Sequence, residues 1–359
     1  MRGEVVFHYA FDVAGEIRTV KIREVLSEKP VPFEIPQERT LPKDVPIYRP
    51  LTIQPSDVTG TIGGKKVRAT VRIYDVGVVN ISFRVAFDVT KLAELMVFHN
   101  PRLDDGRPLD QLAAALCHRV TSSIRQLMID YAMPAEPEAY TIFCWTDPPH
   151  GFDSAEWMNI HRREVAGLLS ETNPDLLSDG QVVEVLRVQR SFERSDIVVI
   201  DWDAAFVVDS TGYIDDVLYV LELANLQLEE FKVIDAKLDR YLDTAYDDLG
   251  RRPKIPIFGT PVGTIRTIRR VRVDVAKLAD EVTHITKFFG DWYLARLYLG
   301  ARDRFYLDQW RKSVEDRLSQ LDSLYGVVYS ELNERRMLWL EIIIVILFVA
   351  DLAALFFFK

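Results

Sequence analysis

The first half of the chain alternates apolar and polar residues in short runs, the pattern of half-buried β-strands. Such runs are found at 5–11, 17–22, 67–74 and 78–87, and further strands are predicted at 140–145, 182–188, 197–200 and 204–208. Asp75, Val76 and Gly77 separate two of these runs as a hairpin loop would. Helices are predicted near 90–98, 110–131 and 154–169. Residues 1–210 are therefore predicted to form an α+β domain, interrupted by a Pro-rich connector at 29–55.

From residue 211 onward the apolar period changes to that of long helices. One seam of alternating fours and threes extends over more than thirty residues: Val217, Leu221, Ala224, Leu228, Phe231, Leu238, Leu242, Ala245 and Leu249. Asp235 takes one seam position, which costs stability but can fix register. The seam either packs on the chain's own helices or forms a coiled coil between chains. Residues 211–336 are predicted to form a helical hairpin or stalk.

The chain ends with an apolar run, Met337–Phe358, whose twenty-two residues would cover roughly 33 Å as a helix. Glu341 and Asp351 interrupt this run, but the summed apolar gain exceeds their cost. The expectation is a tail-anchored protein with one C-terminal transmembrane helix at 337–358. Asp351 would then be a contact in an oligomeric bundle, a proton site or an acid tolerated near the far interface.

The charges that flank this run predict its orientation. Arg335 and Arg336 precede it, whereas Lys359 alone follows it, and the N-terminus has no export signal. The soluble part is expected on the cytoplasmic side of a bacterial-type inner membrane. Two cysteines in 359 residues provide no disulfide framework, which suits a reducing compartment.

A basic segment stands out in a chain whose net charge is −10. Seven cations lie between residues 251 and 272 with no acid among them: Arg251, Arg252, Lys254, Arg266, Arg269, Arg270 and Arg272. Three interpretations remain open. The segment could bind RNA or a ribosome, could bind anionic lipid headgroups, or could pair with nearby acids such as Asp239 and Asp243 of the chain itself.

Three candidate chemical motifs do not meet the requirements of their class. Asp201 and Asp203 follow an apolar strand, but no Gly-Thr follows them as in a phosphatase, and a turn between two strands explains them better. The glycine-rich run at 59–69 lacks the spacing of a P-loop. Cys117-His118, Cys144 and His150 lack the close pairs of a structural zinc site. No catalytic residue, metal or cofactor is predicted, and the protein is not expected to be an enzyme.

The helical half resembles a known family. The run LEIIIVILFVAD at 340–351 is similar to the C-terminal signature of the required-for-meiotic-nuclear-division family, domain of unknown function 155. The runs LANLQLEEFKVIDAKLD at 223–239 and KFFGDWYLARLY at 287–298, and the Arg/Leu-rich helix at 311–336, also resemble that family. The resemblance implies a membrane-tethered organiser without enzymatic activity, whose mitochondrial relatives support translation at the inner membrane.

The expected function combines these features. A non-enzymatic, oligomeric membrane scaffold would present its cytoplasmic domain and its basic tip to a protein or ribonucleoprotein partner, in support of translation near the membrane. One alternative is an ion channel with the layout of CorA-type channels, although their second membrane helix and Gly-Met-Asn loop are missing here. The other alternative is a hydrolase in the N-terminal domain.

Overall fold

The computed structural model describes residues 1–19, 22, 31, 50–134, 136–209, 212–250, 269–273, 275–280 and 291–357. The chain divides into two compact units. Unit 1 comprises Met1–Phe231 with Leu278–Trp310, and unit 2 comprises Lys232–Lys277 with Arg311–Lys359. The domain boundaries predicted after residues 210 and 336 stay predictions. Most of the Pro-rich connector lies outside the described residues.

Unit 1 is built on a mixed sheet of eight strands. Its strands are β1 (Arg2–Asp12), β3 (Leu51–Ile53), β6 (Arg68–Ile73), β7 (Val78–Asp88), β9 (Glu138–Trp145), β10 (Val188–Arg190), β11 (Ile197–Ile200) and β12 (Ala204–Val208). The order across the sheet is β10-β11-β12-β9-β1-β7-β6-β3. Neighbours are antiparallel except β9 and β12, which are parallel and are joined through a helical connection as such a pair requires.

Four short strands form two small ribbons beside this sheet. Strand β2 (Glu16–Ile17) pairs with β8 (Met128–Ile129), and β4 (Thr61–Ile62) pairs with β5 (Lys65–Lys66). The strand predicted over 17–22 is therefore reduced to this short pairing in the described residues.

One face of the sheet carries the main apolar core. Along β1, Val5, Phe7, Tyr9 and Phe11 point to this face because strand side chains alternate. Helix α1 (Leu109–Ile124) packs there against β1 and β7, and α2 (Ser154–Leu169) packs against β12. The strand predicted at 182–188 is wrong over most of its length, since Asp179–Val185 form the helix α3. Ser178 begins this helix by accepting the Gln181 amide at 3.2 Å.

Helices α4 (Ile214–Gly250) and α5 (Trp292–Arg304) lie on the opposite face of the sheet. Every residue of α4 from 216 to 229 is buried. A helix buried on all sides is usually apolar throughout, yet this one carries Glu222, Asn225 and Gln227. Asn225 donates to the Glu138 carbonyl of β9 at 3.4 Å, and Gln227 accepts from Tyr298 of α5 at 2.5 Å. Unit 1 therefore has three layers: α1 and α2 on one face, the sheet itself, and the first part of α4 together with α5 on the other face.

In unit 2, α4 is held to the last helix, α6 (Leu307–Phe357), by the seam residue Asp235. Arg317 of α6 forms an ion pair with Asp235 at 3.0 Å and a second ion pair with Asp239. The carboxylate of Asp235, the polar residue of the seam, is thus paired within the chain. This pairing favours packing on the chain's own helices and argues against the coiled coil between chains.

The predicted transmembrane helix at 337–358 is wrong: none of the helices in the described parts of the chain is long and apolar enough to cross a membrane. The physical reason is the position of Glu341 and Asp351. They leave nine apolar residues, 342–350, between them. Nine residues cover about 14 Å at helical rise, against a hydrocarbon core of about 30 Å. The fold class is an α+β domain with C-terminal helices, and the predicted anchor, bilayer contact and inner-membrane location are corrected with it.

Candidate ligand-binding cleft

A cleft of about 740 Å³ opens in unit 1 where β3, β6 and β7 meet the start of α4. Its described lining includes four cationic side chains and two acidic ones: Lys66, Arg68, Arg72, Arg84, Asp215 and Asp216. Neutral hydrogen-bonding groups of Thr52, Gln54, Ser56, Thr70 and Tyr219 complete most of the polar lining. The lining therefore has an excess of positive charge in a chain whose net charge is −10.

Two arginines of the cleft stand directly opposite each other in the sheet. Arg68 of β6 and Arg84 of β7 are register partners, and like charges in such positions repel. Glu4 of β1 bridges them: Oε2 accepts from Arg68 Nη2 at 2.7 Å, and Oε1 accepts from Arg84 Nη1 at 2.9 Å. Arg84 also donates to Asp215 of α4 at 2.6 Å. One ionic network thus joins three strands to the helix.

A buried ion pair forms the inner end of the cleft. Arg72, which lines the cleft, donates to Glu222 of α4, and Tyr74 donates to the same carboxylate at 2.7 Å. Burial alone would raise the pKa of Glu222, but the charge of Arg72 and the other neighbouring groups, including the Tyr74 hydroxyl, together outweigh burial, so the pKa is lowered. Burial together with Glu222 raises the pKa of Tyr74 well above its ordinary value. The carboxylate is therefore charged and the phenol neutral near neutral pH.

His8 of β1 lies behind this pair. Its Nδ1 is 2.8 Å from Ser82 Oγ, 3.2 Å from Asn80 Nδ2 and 4.0 Å from Glu222 Oε2. Burial lowers the pKa of His8 from 6.5 to about 4, against the opposing charge of Glu222. His8 Nε2 is buried and has no hydrogen-bond partner among the described residues. The imidazole is accordingly neutral at pH 7 and does not act as a charged member of the network.

The family of the chain is shown by a match to its N-terminal, sheet-forming part. The model of the family described as the N-terminal domain of uncharacterized protein MJ0711 matches residues 2–215, more than half of the chain. The chain belongs to this family. The uncharacterized protein MJ0711 of Methanocaldococcus jannaschii is 20% identical over 215 residues, which are 60% of this chain. These residues span 65% of the length of that relative, just under two thirds.

The resemblance to the required-for-meiotic-nuclear-division family is therefore wrong. It rested on residues 223–351, whereas the MJ0711 N-terminal domain family is matched over the sheet. Helices rich in Leu, Ile and Arg share their composition with many unrelated helices, so such runs have little power to identify a family. The organiser, scaffold and translation roles implied by the resemblance are withdrawn with it. The CorA-like alternative also required a membrane span, which the described residues do not provide.

Asp201, which was predicted to belong to a turn rather than to a catalytic motif, has a structural role. Asp201 follows β11 at the turn into β12 and accepts from Arg304 Nε at 2.7 Å. Arg304 also donates to Glu184 at 2.7 Å, and Tyr140 donates to the Asp201 carbonyl at 3.0 Å. These bonds hold α5 against the sheet in this member of the MJ0711 N-terminal domain family.

The glycine-rich run is a tight hairpin between β4 and β5. Gly63 and Gly64 have φ angles of 56° and 72°, as a two-residue turn with both central residues left-handed requires. Their amides donate to the Asp104 carboxylate at 2.8 and 3.0 Å. Because an internal carboxylate already occupies these amides, the turn does not present them to a phosphate.

The cysteines are buried thiols rather than ligands. Cys117 lies on α1 and Cys144 on β9, and burial raises the pKa of both, that of Cys117 to about 12. In the described residues no group of three or more His, Cys, Asp or Glu side chains could hold a metal ion.

The basic segment is only partly described. Arg251, Arg252, Lys254 and Arg266 lie outside the described residues, whereas Arg269, Arg270 and Arg272 lie in a helical stretch. Arg272 pairs with Asp322 of unit 2, which favours the interpretation of internal pairing. The predicted homo-oligomer rested on the seam and on the acids of the terminal run, and the predicted RNA or ribosome contact rested on the basic segment, with the translation role that the family resemblance implied. Both partner predictions are corrected, because the seam acid is paired internally and the family is a different one.

The remaining predicted site residues belonged to the anchor. Glu341 and Asp351 are exposed on α6, and the side chains of Arg335 and Arg336 lie outside the described residues. Five residues of the cleft's ion pairs are not predicted from the sequence: Arg68, Arg72 and Arg84, which line it, and their partners Glu4 and Glu222. A signal for the arginines was present, since residues 68, 72 and 84 occupy polar positions of the predicted hairpin. Nothing in the sequence pointed to Glu4 or Glu222.

Proposed function

We propose that the sheet domain binds a small anionic molecule in this cleft without transforming it. The observation that supports the proposal is the excess of cationic side chains around a concave site in an otherwise acidic chain. Clefts with a few convergent polar groups are the usual form of small-molecule sites. Guanidinium groups are well suited to carboxylate and phosphate oxygens because their N–H donors form a planar fork.

The exposure of the cations supports binding from solvent. The side chain of Arg68 is 65% exposed, that of Arg84 is 26% exposed, and Arg72 remains 16% exposed at the inner end. The cations thus extend from the rim to the floor of the cleft. Thr52 adds a donor, because its buried Oγ1 has no hydrogen-bond partner in the described part of the chain. Buried hydroxyls are usually paired, and a bound ligand would satisfy this one.

The proposal is limited to binding because of the chemistry of the lining. The described residues around the cleft include no histidine or cysteine, and their hydroxyl groups belong to Thr52, Ser56, Thr70 and Tyr219. His8 lies behind Arg72 and Glu222 and is almost completely buried. Histidine, the side chain that most often serves as a general base, is therefore not among the described lining groups.

Isothermal titration calorimetry of the full chain with succinate, citrate and pyrophosphate tests the proposal. We expect saturable binding of at least one anion, weakened at high salt, and no binding of uncharged glycerol. Arg68→Met should weaken binding by about tenfold or more, the loss of one charge-assisted hydrogen bond.

Arg2→Met is the matched control. Arg2 is 70% exposed and pairs with Asp88 of a neighbouring strand at 3.3 Å, outside the cleft. The anion affinity of this variant should equal that of the unmodified protein. If none of the anions binds, or if both variants lose affinity equally, the proposal is overturned.

A further inference from the structure

The carboxylate of Glu4 already occupies the space between the two register-paired arginines of the cleft. Each of its oxygens accepts from a different guanidinium, at 2.7 Å from Arg68 and 2.9 Å from Arg84. We propose that the ligand of the cleft is a carboxylate that replaces Glu4 between Arg68 and Arg84. This inference rests on the proposed function and deepens it, because it names the class of ligand and an internal competitor.

The contacts of Glu4 show which anion geometry the two arginines accept. A single planar group reaches both guanidinium groups with one oxygen each, at ordinary lengths for charge-assisted hydrogen bonds. The two arginines are fixed opposite each other by the register of β6 and β7. The register sets the spacing of their Cα atoms, and the Glu4 bridge shows that both guanidinium groups can close on one carboxylate, so a carboxylate of a ligand can take the same position.

Exchange of the two carboxylates is favoured by the exposure of Arg68. Its side chain is 65% exposed, so water and a ligand can reach the guanidinium, whereas the side chain of Glu4 is only 15% exposed and gains solvent when it leaves. Arg84 keeps its second partner, Asp215, when Glu4 leaves. Glu4 is the third residue of β1, and its side chain, now 15% exposed, would move toward solvent by a change of rotamer. The ligand must then offset the repulsion between the two arginines.

Internal competition has a consequence that can be measured. As long as Glu4 holds both guanidinium groups, a ligand must displace it, which lowers the apparent affinity. Glu4→Gln keeps the size of the side chain but removes its charge, so the competitor is weakened. The variant should bind a carboxylate more tightly than the unmodified protein, whereas most substitutions near a binding site weaken binding.

The experiment is calorimetric titration of the full chain with succinate and, separately, with pyrophosphate. We expect succinate to bind the unmodified protein more tightly than pyrophosphate and Glu4→Gln to tighten succinate binding by about tenfold. Glu4→Asp, which keeps the charge but shortens the bridge, should give an intermediate gain. It also serves as the second variant if Glu4→Gln does not fold.

Asp88→Asn is the matched control, since Asp88 is an exposed strand carboxylate that pairs with Arg2 away from the cleft. Its succinate affinity should not change. Tighter binding of pyrophosphate than of succinate would assign the cleft to phosphates and overturn the inference. Unchanged or weaker succinate binding by folded Glu4 variants would also overturn it, while leaving the proposed function intact. If no anion binds any of these proteins, the proposed function itself fails.

Discussion

Tyr74, which directly follows β6, donates a hydrogen bond of 2.7 Å to Glu222 on α4. The same carboxylate accepts from Arg72, and its side chain is only 1% exposed. Residues far apart in sequence thus meet at the interface between the sheet and a helix that is buried on all sides. The charge of Glu222 is compensated there by a cation and a phenol, which is the condition for a buried carboxylate to be tolerated.

Removal of one member of this pair should destabilise unit 1 strongly. Glu222→Gln keeps the shape of the side chain but leaves the charge of Arg72 without its main compensation, so we expect a loss of about 3 kcal/mol in the free energy of unfolding. The double variant Arg72→Met, Glu222→Leu should recover most of that loss, because it removes both charges. Urea unfolding followed by circular dichroism measures both values, and additive losses would contradict the coupling.

Stability should fall as the pH is lowered from about 6.5 to about 4. Folded His8 has a pKa of about 4, below the unfolded value of 6.5, so in this range the unfolded chain binds the proton more readily. The contribution of His8 is present above pH 6.5 and is lost as the pH falls toward 4. A shift of this size corresponds to about 3 kcal/mol. Glu222, whose pKa is lowered, adds a loss of the same sign below the ordinary pKa of a carboxylate.

The measurement is the urea midpoint of the unmodified protein and of His8→Gln between pH 4 and pH 7.5. His8→Gln should flatten the dependence above pH 5, because the titrating group is gone. An equal slope in both proteins would assign the pH dependence to other groups.

Replacement of a glycine by alanine should change stability in opposite directions in the hairpin between β4 and β5 and in a helix. Gly64 has a φ of 72°, and a Cβ added at this position would have no atom within 4 Å, so Gly64→Ala costs only backbone strain, about 1 kcal/mol or slightly more. Gly180 lies within α3 at an ordinary φ, and Gly180→Ala should stabilise by about 0.5–1 kcal/mol. Thermal unfolding of the two variants should therefore shift in opposite directions, and a gain for Gly64→Ala would contradict the turn geometry.

The sequence predicted local elements well where short apolar runs are bounded by clear turn residues. The strands at 197–200 and 204–208 have the predicted bounds, because two β-branched or apolar runs flank the Asp-Trp-Asp turn. The strand prediction at 182–188 is wrong over most of its length, since the buried Val182 and Val185 are three positions apart, as in a helical turn, and the cap at Ser178 favours the helix. Local propensity alone does not decide whether a short apolar run forms a strand or a helix.

The cleft could be predicted only in part. The hairpin of β6 and β7 was expected, but the pairing of Arg68 with Arg84 requires the register, which a sequence of this kind does not provide without the structure. Glu4 reaches Arg84 over 80 positions of sequence, and Glu222 reaches Arg72 over 150. The prediction for the terminal run is wrong because summed hydrophobicity takes no account of where its two acids lie.

The docking of α5 on the sheet should be sensitive to a single methyl group. A Cβ on Gly300 would lie 2.7 Å from Val188 Cγ1 of β10, closer than carbon atoms approach in packed cores. Gly300→Ala should therefore destabilise unit 1 by about 1–3 kcal/mol despite the better helix propensity of alanine. A Cβ added to Gly326 on α6 would have no atom within 4 Å. Gly326→Ala should therefore raise the free energy of unfolding by up to about 1 kcal/mol.

Val188→Ala supplies the decisive comparison for this contact, because it removes the methyl groups that the new side chain would meet. Combined with Gly300→Ala, it should cost less than the sum of the two single substitutions, since the alanine methyl then fills the space that Val188 leaves. Chemical unfolding of the four proteins in this cycle gives the coupling energy. A strictly additive result would mean that α5 avoids the clash by moving away from β10, and that the close approach at Gly300 is not what fixes the helix on the sheet.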